Sequence, residues 1–139
     1  MKATQSKTPT KQVIRFADFG GNQQNINIAF SSNMMGFTRD FGEKGDLLLL
    51  TSSVNGVKYL LGAGELATKA SSNPFKGDAY HCWHLINVKK LDTPVSIHFL
   101  FKDLLQNKYW TYFRSPLNIS KKPDIYIPIK FLLRQLNIA

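Results

Sequence analysis

Glu43-Lys44-Gly45-Asp46-Leu47-Leu48-Leu49-Leu50-Thr51-Ser52-Ser53-Val54-Asn55-Gly56-Val57-Lys58-Tyr59-Leu60-Leu61-Gly62-Ala63-Gly64-Glu65-Leu66 reads as turn, strand, turn and strand. Glu43 to Asp46 is the first turn, punctuated by Gly45. Leu47 to Thr51 is a short, almost wholly apolar run of strand length, so it is expected as a buried strand. Asn55-Gly56 is a strong hairpin signal, because the tight two-residue turn needs positive φ at both central positions. Val57 to Leu66 is then the returning strand. Its two glycines, Gly62 and Gly64, predict a bulge or the close approach of another backbone or a ligand.

Upstream of this hairpin, residues 1–11 hold Thr, Ser, Gln and three Lys, with no apolar residue after Met1 and Ala3. They read as a flexible basic arm, with order beginning near Gln12. Val13, Ile14 and Phe16, with Phe19, form a first strand that Gly20-Gly21-Asn22 ends. Asn22 to Asn27 is rich in Asn and Gln and reads as turn-like. From Ile26 to Phe41 the apolar residues are spaced irregularly, which leaves both a short helix and a strand open. Downstream, Lys69 to Asp78 reads as a polar loop and Ala79 to Val88 as a strand. Ser96, after Pro94, is a candidate N-cap for a helix whose face is Ile97, Leu100, Phe101, Leu104 and Leu105. A strand over Val95 to Phe101 is the alternative there. Tyr109 to Phe113 reads as a strand and Ile125 to Ile127 as a short last one. A final helix is expected to start at Pro128, with Ile129, Leu132, Leu133 and Leu136 as its stripe. No internal repeat is present. The expectation is one α+β domain over residues 12–139, a curled mixed sheet or small barrel flanked by a few helices.

Composition narrows the class. The chain has 139 residues, 43% of them hydrophobic and 12% aromatic, enough to offset chain entropy and exclude a disordered protein. The single cysteine, Cys82, excludes an internal disulfide framework and a multi-cysteine zinc site. The longest aliphatic run, Leu47 to Leu50, is far short of the ~20 residues a membrane helix needs. Met1 to Lys7 lacks an apolar core, so a secretory signal is not expected and a soluble, cytoplasmic protein is. Eighteen Lys and Arg stand against nine Asp and Glu, a net charge of +9. Such a surface attracts polyanions, nucleic acid foremost. No strongly basic amphipathic helix is visible, so a membrane is not the expected partner.

Several of these segments resemble a known family in their order. Lys44-Gly45-Asp46 with Leu47 to Leu50 resembles the "KGD" turn and strand of the PUA-like superfamily, in particular its EVE and YTH domains. Tyr59 to Leu66 is similar to their next strand, with its paired small residues. Trp83 to Leu91, then Thr93-Pro94-Val95-Ser96-Ile97, resembles the strand and "L-x-x-P-V-x-L" helix start of EVE domains. Arg114, Ile119-Ser120 and Ile127-Pro128 resemble their C-terminal order. The first strand, Ile14 to Phe19, differs from the Trp-rich opening strand usual there, and Asn22 to Phe41 matches no motif. The resemblance implies a curled sheet with flanking helices. It also implies recognition of a modified, methylated base flipped into an aromatic pocket, in some relatives as the reading head of a modification-dependent restriction system.

A flipped base needs aromatic walls, polar atoms for its Watson–Crick edge and a basic rim for the backbone. Candidate walls are Phe75, Tyr80, Trp83 and Trp110, with Phe37 and Phe41. Phe75 stands out as one large aromatic in the polar run Ser71 to Gly77, where a surface loop carrying a binding residue is expected. Candidate edge readers are Asp18, whose carboxylate accepts from an exocyclic amine, and Asn22, Ser31, Ser32 and Asn33. As turn residues or caps the latter have an equally simple role. Candidate phosphate contacts are Lys69, Lys76, Arg114, Lys121 and Lys122. DNA is expected over RNA as partner, with no cofactor, and the chain reads equally as a whole protein or as one domain of a larger one.

Two other classes stay open. His81, Cys82, His84 and His98 suggest a small metal-independent nuclease or toxin. In a strand, however, residues 82 and 84 share a face and 81 points away, which splits the group. No paired acidic motif and no phosphate-cradling glycine loop accompanies them, so neither a metal site nor catalysis is expected. Exposed aromatics would also serve a protein-interaction module.

Overall fold

The computed structural model describes residues 12–40, 42–75, 81–97 and 118–138. In chain order the elements are strand β1 (Ile14–Asp18), helix α1 (Gln23–Ser32), strands β2 (Met34–Phe37), β3 (Leu47–Val54), β4 (Val57–Lys69) and β5 (His81–Ser96), a 3-10 turn (Ile119–Lys121) and helix α2 (Pro123–Gln135). The five strands form one sheet in the order β1-β3-β4-β5-β2, with β1 parallel to β3 and every other pair antiparallel. β4 and β5 are long, and their pairing shifts register repeatedly. Each shift adds bend and twist, so the sheet curls into a half-barrel. The expected α+β class with a curled mixed sheet is what forms.

The β3–β4 hairpin forms as its sequence dictates. Asn55 and Gly56 take φ of 51° and 80°, the two positive values of a primed turn, between the paired Val54 and Val57. The KGD turn is structural. Asp46 is buried, and its Oδ2 accepts from the Arg15 Nε at 2.9 Å and from the Glu43 N–H at 3.0 Å. One carboxylate thus closes the turn and ties β1 to the start of β3.

Leu47 to Leu50 is buried on both faces because the sheet is covered on both. Leu47 and Leu49 join Ile14 and Phe16 under Ile125, Ile129 and Leu133 of α2. Leu48 and Leu50 face into the curl with Ala17, Leu66, Trp83 and Leu85, where Phe30 of α1 packs. The glycine expectation is met at Gly62. A Cβ there would run into the Lys89 carbonyl oxygen and the Phe30 ring, so close approach of β5 and α1 demands glycine.

Three segments differ from the expectation. Asn22 to Asn27 is helix rather than turn: the Asn22 side chain caps α1 by accepting from the Asn25 N–H at 3.0 Å, and Ile26 and Ala29 are buried. Polar turn-formers double as caps, and burial of one face decides. The undecided run to Phe37 contains both a helix and a strand, divided at Asn33 in the left-handed conformation at φ 53°. The last helix starts at Pro123, not Pro128, so Ile125 to Ile127 is helical and Pro128 lies inside the helix. Pro123 takes the first helical turn, where the missing N–H costs nothing. Over Val95 and Ser96 the strand alternative holds, because Ser96 pairs with Tyr59 and the Ile97 N–H donates to the Lys58 carbonyl at 3.0 Å. The remainder of the expected helix, the strand at Tyr109 to Phe113 and the N-terminal arm fall outside the described residues. No described helix is long and apolar enough to cross a membrane.

Candidate functional site

The residues singled out in the sequence are spread along α1 and over both edges of the sheet, β1 on one side and β2 with its neighbour β5 on the other. Asp18 ends β1. Its Oδ1 accepts from the Thr51 hydroxyl at 2.8 Å, and its Oδ2 from the Gly20 N–H at 3.0 Å and the Lys58 ammonium at 2.8 Å. Lys58 is buried, so this carboxylate is bound internally and the expected base-edge role gives way to a structural one. Asn22 and Asn33 are the two caps of α1, and the Asn33 carbonyl also accepts from the Leu85 N–H at 2.8 Å. Ser31 and Ser32 are exposed on the last turn of α1.

At the other edge, Phe37 and Trp83 are buried together inside the curl. Phe75 is buried as well, against Ala29, Met34 and Cys82, which corrects the expectation of a surface aromatic. The loop turns inward because its backbone finds partners on the way. The Ala70 N–H donates to the Cys82 carbonyl at 2.8 Å, and the Phe75 N–H to the Asn73 Oδ1 at 2.9 Å. Lys69 is exposed, pairs with Asp40 at 2.8 Å and places its ammonium 5.8 Å from the Trp83 ring centre. That hydrogen bond, with a smaller pull from His81, holds the Asp40 carboxyl below its usual range. Burial pushes the Cys82 thiol up. His81 and His84 are exposed while Cys82 is buried, so the three do not converge. Lys121 and Lys122 are exposed just ahead of α2. Phe41, Lys76, Tyr80, His98, Trp110 and Arg114 lie outside the described residues.

A concave site stands elsewhere, where α1 starts over the β3–β4 hairpin. An open cleft of about 360 Å³ is lined by Gln23 and Ile26 of α1, Ser52 and Val54 of β3, Tyr59 and Leu61 of β4, and Thr93 and Pro94 of β5. Two local features build it. Gly20 and Gly21, at φ of 61° and 85°, swing the chain back over the sheet, and the Gly21 N–H donates to the Ser52 Oγ at 3.1 Å. This fixes the start of α1 above β3. On the other side, the pairs Leu60–Val95 and Gly62–Lys90 leave only Leu61 between them on β4 but Leu91 to Pro94 between them on β5. This wide bulge pushes Thr93 and Pro94 out to form the rim, and Pro94 has no N–H to lose from the ladder.

Among the described residues, the cleft carries no charged side chain. Its walls are aliphatic with one aromatic, Tyr59, and its polar groups are the Gln23 amide and the hydroxyls of Ser52, Tyr59 and Thr93. One turn along α1 from Ile26, the Lys90 ammonium lies 5.6 Å from the Phe30 ring centre. The volume suits a small planar ligand, and the hydroxyls and amide offer both donors and acceptors to its edge. No family model, curated protein or solved structure matches this chain. None of the cleft residues was singled out in the sequence. The usable signal was Pro94 within an extended run, which argues for a bulge and hence an opening in the sheet.

Proposed function

We propose that this protein binds nucleic acid, taking an unpaired base into the cleft against Tyr59 with Lys90 near the backbone. The observation that carries the reading is an uncharged, part-aromatic cleft with hydrogen-bonding groups on a chain of net charge +9. A neutral base fits such a lining, and the Lys90 ammonium, beside Phe30 one turn along α1, suits a phosphate of the same strand. The resemblance to EVE and YTH domains supports the finer proposal that the chain belongs to the PUA-like superfamily and that the base is methylated, in DNA rather than RNA. A reading head of a modification-dependent restriction system would use such a site.

Fluorescence anisotropy with single-stranded oligonucleotides, with and without a methylated base, tests this. Tyr59→Ala is expected to weaken binding by about 1–3 kcal/mol through lost stacking. Lys90→Ala is expected to weaken every oligonucleotide alike and reduce the salt slope by about one. Parental affinity in Tyr59→Ala would remove the cleft from the reading. Equal affinity for modified and plain oligonucleotides would remove the modified base.

A further inference from the structure

The outer face of α2 is built unlike a solvated face. Ile125, Ile129 and Leu133 bury its inner side, yet Ile127 and Phe131, one turn apart on the other side, are 65% and 62% exposed. Arg134 continues this ridge by one more turn, and Lys130 stands at its flank. Lys121 and Lys122 are exposed before the first turn. Beyond the last turn, the Lys89 ammonium is held by the carbonyls of Leu136 and Asn137 at 2.9 and 3.2 Å. Asp124 is the one acid in the helix.

We propose that this ridge docks an acidic, amphipathic segment of a partner protein, which covers Ile127 and Phe131 and pairs its carboxylates with Lys130 and Arg134. Charge complementarity selects the occupant. A second copy of the chain would bring the same cations against their own counterparts. A nucleic-acid strand would stack on Phe131 but has no use for Ile127. Apolar residues one turn apart, framed by charge, fit a partner that buries an apolar stripe between acidic positions.

The test uses the full chain and a synthetic helical peptide with Leu at every fourth position and Glu between, against the same peptide with Lys for Glu. The acidic peptide is expected to bind and the basic one not. Ile127→Ser with Phe131→Ser is expected to weaken the acidic peptide at least tenfold, and so is Lys130→Glu with Arg134→Glu. Both pairs lie on the surface, so an unchanged melting temperature confirms that they fold. The proposal is overturned if the parent ignores the acidic peptide, if either double variant binds it as the parent does, if the apolar double variant instead loses oligonucleotide binding, or if the parent sediments as a dimer that this variant abolishes.

Discussion

Phe75 and Asp18 show how a residue chosen for binding is claimed by the fold. Both types suit recognition, but each finds internal partners that satisfy it completely. Asp18 accepts from Thr51, Gly20 and Lys58, and Phe75 fills the space between Met34 and Cys82. For Phe75 the two roles have opposite signatures. Core truncation costs about 3–5 kcal/mol of stability, whereas a pocket wall would cost binding and leave stability nearly intact. Phe75→Ala is therefore expected to lower the urea midpoint strongly, with oligonucleotide affinity of the folded fraction unchanged. An unchanged midpoint would return Phe75 to the surface.

At the level of elements, β4 is the strand on which the structure turns. It pairs with β3 along one edge and β5 along the other, and its glycines let β5 and α1 come close. Two effects of Gly62→Ala oppose each other. Removing glycine from a strand interior favours folding by about 0.5–1 kcal/mol. The new methyl overlaps the Lys89 carbonyl, a backbone atom that cannot rotate away, and such overpacking costs about 1–3 kcal/mol. Overlap with backbone wins, so a net loss of about 1–2 kcal/mol is expected in denaturant unfolding. A stabilised variant would show that β5 is free to move. Because Lys90 pairs with Gly62 and the bulge follows directly, the same substitution is expected to disturb the cleft and weaken oligonucleotide binding.

On the scale of the whole molecule, the described ion pairs use Asp18, Asp40 and Asp46. The pairs of Asp18 and Asp46 are largely buried and that of Asp40 is exposed, and each neutralises one cation, so the net charge of +9 rests on the remaining residues. If about four phosphates are neutralised on a single strand, affinity is expected to fall about fiftyfold between about 50 and 200 mM salt. Titration at a series of salt concentrations checks this, and a flat response would mean that the charge serves some other partner.

The hairpin, the KGD turn and the first strand were legible in the sequence because each depends on local conformation or on short apolar runs, whereas the paired glycines of β4 announced a close approach without saying that Lys89 and Phe30 make it at Gly62. The extent of both helices was less legible. Asn22 is equally a turn residue and a cap, and Pro123 and Pro128 are equally good starts until the burial of Ile125 and Ile129 chooses between them. The cleft was not legible. Its eight residues come from four elements, and its opening depends on how far β4 and β5 slip past each other. The sequence by itself determined the fold class, the basic surface and the local turns. Only the tertiary structure decided which aromatics are core and where a ligand fits, because burial is a property of what packs opposite a side chain and not of the residues beside it.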